Sequence, residues 1–448
     1  MVAVLRDERW PLARLIPITS DTGVEAKERN AASALLAVMS AVDEFGRTLL
    51  KPLGVPGGRI EAFVEVPFKI NGKTIRPDGV ILVARGQKHW SALLEVKIAN
   101  NSLEPDQMDA YLDLARQVGA DAVLSISNQY TTKSSDYPIP IDRKKLKKLT
   151  LHHWSWVSVL TEAVVQQRHR GVKDRDQAYI LGELIRYLSD PRSGVVLFGD
   201  MGASWTTVRD QARLKMLKKN DPDVAEVANR WDQLIRYLTL DLTKDLGRDV
   251  KQILRGAEAG SSIARQVALR DALSARGQLY ADLQIPDAAS PLEVVADLST
   301  RQVTVSARLT APKDAGSRGR VSWLLRQLQK APPTLTVESV AAWKSGTSAQ
   351  LSAAREEASL LVPPGGREIR EFRISLTRDL GLNRSAGRGG FIDSVIATVK
   401  AFYGEVLQNV CAWKPKAPKL PALPELPVEV PEALQEPIAA AEAEMASE

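Results

Sequence analysis

The apolar positions of the first half of the chain change period several times, and each change marks an element. Between residues 24 and 50, Leu35, Val38, Met39, Val42, Phe45 and Leu49 recur every three or four residues, the spacing of one long amphipathic helix. The runs 59–70, 80–83 and 90–98 are short, apolar and partly alternating, which predicts strands. Asn71-Gly72 and Arg85-Gly86-Gln87-Lys88 between them are turn sequences, so the sheet is expected to grow from consecutive antiparallel strands. Pro105 opens a helix that carries Gln107 and Tyr111 on one face, and residues 121–127 form a short buried strand after it. A further strand at 149–154 leads into helices at 155–167, started by Ser155, and at 174–189. The order is αβββαβ, with a mixed sheet because the strand after a helical crossover runs parallel to the one before it. Residues 194–205 are glycine-containing but lack the Gly-Lys-Ser/Thr ending of a phosphate-binding loop, and read as a loop.

The second half has a different texture. Residues 206–280 are mainly helical, with an apolar series at Trp231, Leu234, Ile235 and Leu238 and basic residues at Lys215, Lys218 and Lys219. From residue 291 alternation returns: a hairpin over 294–309, a helix at 321–329, strands at 334–343 and 369–376, and a closing helix at 390–410. Arg308, Lys313, Arg318, Arg320 and Arg326 in this part form a candidate binding surface. Prolines at 415, 418, 421, 424, 427, 431 and 437 exclude packed structure in the tail, which is expected to be disordered. The fold class expected is therefore α/β: a unit over 1–204 with a mixed sheet flanked by helices, a helical connector over 205–285, a second, smaller α/β domain over 286–413, and a disordered Pro/Glu-rich tail over 414–448.

Composition narrows the functional classes. With 448 residues and 44% hydrophobic positions the chain can bury a normal core. Cys411 is its single cysteine, which excludes intrachain disulfides and cysteine-cluster metal sites, and His89, His152, His153 and His169 lack zinc-site spacing. Arg6, Asp7, Glu8 and Arg9 interrupt any apolar leader, and no stretch approaches 18 apolar residues, so a cytoplasmic protein with no membrane partner is expected. The net charge is +6. Residues 1–413 hold 57 basic against 47 acidic residues, a net +10 that is compatible with nucleic acid. The run Asp142-Arg-Lys-Lys-Leu-Lys-Lys148 has two readings, a solvated face or a contact to phosphate.

The chemistry is concentrated between residues 75 and 111. Side chains alternate along a strand, so Glu95 and Lys97 share a face while Leu94, Val96 and Ile98 enter a core, and Asp78 at the start of the neighbouring strand lies beside Glu95. Burying such groups costs several kcal/mol unless they are paired or bound to a metal, and paired carboxylates suit a hard cation such as magnesium. A lysine next to the metal can orient a water and offset developing phosphate charge. Upstream, Glu25 has capping-box spacing from Thr22, whereas Glu28 lies seven residues before Leu35 on the core-facing stripe and has no capping role.

Pro77-Asp78, then Glu95-Val96-Lys97, then Gln107 and Tyr111, resembles the PD-(D/E)XK phosphodiesterase superfamily over roughly residues 20–200, and the strand entering a Ser-Trp helix start at Ser155 is similar to its members as well. The resemblance implies a restriction-endonuclease-like core and a Mg²⁺- or Mn²⁺-dependent nuclease, DNA more than RNA, of the kind bacteria use in repair, defence or stress response. It assigns Asp78, Glu95 and the Val96 carbonyl to the metal, Lys97 to the attacking water, a helix glutamate, Glu28 ahead of Glu25, to a binding or orienting role, and Gln107 and Tyr111 to supporting the lysine or contacting phosphate. The alternative function is a catalytically silent nuclease-like module that binds nucleic acid or protein. Homo-oligomerisation, and a protein partner reached through the 286–413 domain or the tail, are further expectations on the partner side.

Overall fold

In a computed structural model, the residues described are 10–16, 23–70, 72–99, 101–131, 137–147, 149–195, 198–341 and 344–414. The expected long first helix is two helices, α1 (Val24–Ala41) and α2 (Asp43–Leu50), because Val42 takes an extended conformation with φ −110° and ψ 90°. The apolar period passes through the break unchanged, since both helices bury the same stripe; Leu35, Met39, Phe45 and Leu49 all enter one core. Gly46 allows the tight fold-back: a Cβ there would stand 2.2 Å from the Met39 carbonyl oxygen. The N-cap of α1 is Gly23, with no side-chain cap, and Thr22 of the expected capping box lies outside the described residues.

The run 59–70 is likewise not one strand. β1 (Arg59–Val64) stops before Glu65, whose φ of 50° leaves the extended region, and before Pro67, which has no N–H for a ladder. β2 (Phe68–Ile70) and β3 (Lys73–Ile75) then form their own two-stranded hairpin outside the main sheet; Asn71 of the expected turn lies outside the described residues. The main sheet continues with β4 (Gly79–Arg85) and β5 (Lys88–Val96), and its first three strands, β1, β4 and β5, are antiparallel. Arg85 and Lys88 are the last pair of the β4–β5 hairpin, and Gly86 supplies the positive φ of 60° for the two-residue turn.

α3 (Pro105–Val118) crosses over to β6 (Ala122–Ser127), which runs parallel to β5, and β7 (Thr150–Ser155) runs parallel to β6. Strand order is β1-β4-β5-β6-β7. α4 (Trp156–Val165), capped by Ser155 Oγ, and α5 (Arg175–Ser189) join α1 and α2 on one face, while α3 covers the other. β5 is buried from Trp90 through Val96 for that reason: Leu94 and Val96 enter the core beneath α1, and Leu93 the core beneath α3. Each such leucine contributes about 2 kcal/mol by burial.

The rest of the described chain forms a second layer pair. In order come α6 (Trp205–Leu214), α7 (Pro222–Leu246), β8 (Lys251–Ile253), α8 (Ala257–Gly260), α9 (Ser262–Arg276), β9 (Gln278–Gln284), β10 (Leu292–Asp297), β11 (Gln302–Thr310), α10 (Ser317–Gln327), β12 (Thr336–Ala341), β13 (Lys344–Gln350), α11 (Leu351–Glu356), β14 (Ile369–Asp379) and α12 (Phe391–Glu405). The seven strands make one antiparallel sheet, ordered β13-β12-β14-β11-β10-β9-β8. It has seven strands against the five of the first sheet. The stretch expected as a connector contributes β8 and β9 to it, and Val224, Trp231, Leu238 and Leu269 share one core with Leu292, Val305, Phe372 and Phe391. Of the candidate basic surface, Arg308 is engaged by Glu293 at 2.8 Å and Glu371 at 3.1 Å, and the buried Arg320 by Glu368 at 2.8 Å. Among the described residues no helix is long and apolar enough to cross a membrane.

Gly46→Ala is expected to lower unfolding free energy by about 1–3 kcal/mol, since the methyl group meets backbone that a rotamer change cannot move. Urea unfolding monitored by circular dichroism checks this; an unchanged midpoint would mean that α1 and α2 separate without cost.

Candidate functional site

The register of β4 against β5 pairs Gly79 with Leu94, so one step further along the same ladder brings Asp78 opposite Glu95. Asp78 does not continue the ladder with its backbone. Its Oδ2 accepts the Val96 N–H at 2.7 Å, which turns the carboxyl toward the end of β5. Glu95 is 1% exposed. Lys97 Nζ stands 2.6 Å from Glu95 Oε1 and 3.8 Å from Glu28 Oε2, and is itself partly buried. The side chains of Glu28, Asp78, Glu95 and Lys97 therefore meet at one strand end, as the sequence predicts.

Glu28, and not the exposed Glu25, is the helix glutamate that reaches this point. Its Oε1 accepts from Ile98 N at 3.2 Å and from Asn101 Nδ2 at 2.8 Å, so it braces the backbone just past β5 as well as facing the lysine. That backbone is held on every side. Lys97 N donates to Ile126 O at 2.8 Å, Trp156 Nε1 donates to Lys97 O at 2.9 Å, and Ala99 N donates to Gly194 O at 2.8 Å. Ala99 adopts φ 50°, a conformation that costs an alanine on the order of 1 kcal/mol and persists because these contacts fix it. Gln107 and Tyr111 face the site from α3: Gln107 Nε2 donates to Tyr111 OH at 3.3 Å. Burial, with Glu95 and Asp78 close by, pushes the Tyr111 hydroxyl far above the usual tyrosine range, so it stays a neutral donor.

The charges shape one another. Burial, then the negative charge of Glu95, raise the Asp78 carboxyl well above its ordinary value; the Val96 N–H and Lys97 pull the other way without cancelling them. Burial alone would lower the Lys97 ammonium, but Glu95 by charge and hydrogen bond, with Glu28 and Asp78 behind it, raises it. Lys97 is thus a committed cation, suited to donating to an oxygen and unsuited to taking a proton.

Sequence reasoning missed the row that continues the site across the sheet. Glu95 pairs in register with Ser125, and Ser125 with His153. His153 Nε2 lies 3.2 Å from the Gln129 carbonyl oxygen, which only accepts, so Nε2 carries the proton. Burial holds the imidazole down at about 4, hence neutral, and Nδ1 must accept from Ser125 Oγ at 2.9 Å. Tyr137 OH in turn donates to Ser125 Oγ at 2.7 Å. The Ser125 and His153 protons are thus directed along the row toward Gln129, while Tyr137 donates into it. The row sends no hydrogen bond to Glu95, whose buried carboxylate has Lys97 as its partner, 2.6 Å from Oε1. Two serines on alternate positions of an otherwise apolar strand, Ser125 and Ser127, are the sequence signal for this polar row. His152 and His153 were expected to pack or hydrogen-bond, and His153 does so beside the site.

In the basic run 142–148, read as a solvated face or a phosphate contact, Lys145 pairs with Asp113 at 3.0 Å and Asp109 at 3.2 Å on α3; Lys148 lies outside the described residues. Among the described residues, no group of three or more His, Cys, Asp or Glu side chains is gathered for a metal. Two carboxylates, a carbonyl and waters are nonetheless a sufficient set for magnesium, which keeps several waters, and the buried Glu95 Oε2, which makes no ion pair among the described residues, fits that demand. Comparison with known proteins leaves the geometry to stand alone: no family model, no curated protein and no solved structure matches the chain.

The raised Asp78 carboxyl has a consequence for stability. The folded state holds the proton more tightly than the unfolded chain, so stability falls as pH rises from the ordinary value of 3.8 through the raised folded value. Asp78→Asn keeps an acceptor for Val96 N–H and does not ionise. The metal-free variant is expected to melt higher than the parent at neutral pH, with the gap closing as pH falls toward 3.8. Thermal melts in chelator across that range test this; a variant no more stable at pH 7 contradicts it.

Proposed function

We propose that the chain is a metal-dependent phosphodiesterase of the PD-(D/E)XK type that hydrolyses DNA, in the setting of repair, defence or stress response. The observation that carries the reading is the meeting of Asp78, Glu95 and Lys97 at the end of β5, with the Glu95 carboxylate buried and Lys97 on its Oε1. Two buried carboxylates beside one ammonium are costly unless a further cation completes the set. Asp78, Glu95 and the Val96 carbonyl would hold Mg²⁺ or Mn²⁺, which when bound supplies Lewis-acid stabilisation of phosphate charge and a more acidic water. Lys97 keeps its proton, so it orients the attacking water and offsets charge on a non-bridging phosphate oxygen. Glu28 positions the lysine and the Ile98 backbone. Tyr111, neutral and tied to Gln107, offers a donor at the wall formed by α3.

Asp78→Ala and Glu95→Ala are each expected to abolish metal-dependent cleavage of a plasmid. Lys97→Met separates the roles: cleavage is expected to drop by ~100-fold or more while Mn²⁺ still binds in calorimetry, because the ligands remain and the ammonium is gone. Normal cleavage by Lys97→Met with intact metal binding would remove the lysine from the mechanism, and a parent protein that takes up no Mg²⁺ or Mn²⁺ would favour the silent binding module.

The Ser125–His153 row gives an independent check. With His153→Leu the Ser125 hydroxyl loses its acceptor and is free to turn its proton onto Glu95. Mn²⁺ affinity is then expected to weaken by roughly tenfold, the scale seen when groups behind a ligand are changed, and Ser125→Ala in the same protein is expected to restore it. Unchanged affinity in His153→Leu, or no recovery in the double variant, would show that the row has no hold on Glu95.

A further inference from the structure

A cleft of 650 Å³ lies between the segment following β6 and the helices α7 and α9. Gln129 and Tyr137 form part of one wall; Arg230 and Gln233 from α7, with Gln266 and Arg270 from α9, form part of the other. No carboxylate lines it. Both arginines are half-buried, and neither makes an ion pair with a carboxylate among the described residues. They are held on their own helices: Arg230 Nη1 donates to Gln233 Oε1 at 3.2 Å, and Arg270 Nε to the Gln266 carbonyl at 3.4 Å. Arg265 of α9, buried and five residues before Arg270, differs from them: it is paired with Asp232 at 3.1 Å and Glu258 at 2.8 Å. A sequence that neutralises Arg265 so fully and leaves two nearby guanidiniums facing an amide-lined cleft has a basic, hydrogen-bonding surface for an anion to fill.

Tyr137 ties the cleft to the site. It lines the cleft, and its hydroxyl donates to Ser125, the register partner of Glu95. The volume is in the range that holds a drug-sized ligand, far more than one phosphate ion fills. Its side-chain amides can pair with base edges while the arginines take phosphates. We propose that this cleft seats the single nucleic-acid strand flanking the scissile phosphate, with Arg230 and Arg270 as its phosphate contacts. The proposal rests on the phosphodiesterase reading for its link to Glu95, but strand binding is measurable without catalysis.

The test is fluorescence anisotropy of a labelled oligothymidylate with the full chain in EDTA, at several salt concentrations. Arg230→Gln/Arg270→Gln is expected to raise Kd by on the order of tenfold or more. The slope of log affinity against log salt should become shallower by about 1.4, two phosphates at roughly 0.7 each. Arg230→Lys/Arg270→Lys, which keeps both charges, is expected to recover most of the slope, and thermal melts confirm that each variant is folded. Thymidine monophosphate as competitor distinguishes a strand site from a mononucleotide site: weak competition supports the strand, and displacement at equal concentration overturns it. Parent-like affinity and slope in the glutamine variant, or a parent that binds no oligonucleotide, also overturn it. If binding follows the arginines but no metal ever yields cleavage, the phosphodiesterase reading fails and the cleft assignment stands. Cleavage that is normal in both arginine variants, with unchanged binding, has the opposite meaning.

Discussion

A glutamate carboxylate inside a sheet, almost closed to solvent and partnered by one lysine, is the constraint around which the first half of this protein is arranged. Desolvating such a group costs several kcal/mol, and in a folded protein that cost has to be met by neighbours. Lys97 offsets part of it. Asp78 does the reverse, adding a second negative charge whose protonation the fold favours. The remaining contacts fix positions and supply little charge: Glu28 and Gly194 hold the backbone past β5, Trp156 holds the Lys97 carbonyl, and His153 keeps the Ser125 proton occupied. These partners come from α1, β7, α4 and the segment after α5, so the geometry depends on elements spread from residue 28 to residue 194.

How much of this was legible in the sequence depends on the kind of signal. The β4–β5 hairpin, the helix at Pro105 and the Ser155 cap are local patterns, and they stand where the pattern puts them. The convergence of Asp78, Glu95 and Lys97 was legible as well, because strand alternation and a two-residue turn fix which residues lie opposite. Glu28 was legible only as a polar residue on an apolar stripe; its bond to Ile98 N is a tertiary contact that the stripe does not encode. The Ser125–His153–Tyr137 row was not legible, since it depends on the parallel register of β5, β6 and β7, and nothing local specifies that register. The errors have the same origin. An apolar period continues across the Val42 break because both helices face one core, and a run of strand-like residues hides the positive φ at Glu65.

The second sheet shows a further limit of local reading. Residues 205–285 look like a connector because their helices are amphipathic and their two strands are short or near the end of the segment. Yet α7 and α9 bury Trp231, Leu234 and Leu269 in the same core as β10, β11 and β14. Which layer an amphipathic helix packs against is decided by shape and by partners distant in sequence, so periodicity gives the helix and leaves its neighbour open.

That shared core bears on how the cleft is built. Helices that merely bridged two bodies would let Arg230 and Arg270 drift relative to the strand end carrying Glu95. Here α7 is packed on both sides: its apolar face enters the second core, and it also lies against α4, the helix that begins where β7 ends. Trp156 at the start of α4 donates to the Lys97 carbonyl. The arginine wall and the lysine are thus connected through packed helices and one hydrogen bond, with no unstructured link in that path. Side chains carried on packed helices are held more precisely than those on loops, and pre-organised cations lose less entropy when they meet a phosphate. The second layer pair therefore fixes the arginine wall of the cleft relative to Lys97, a connection that neither half of the sequence suggests when read alone.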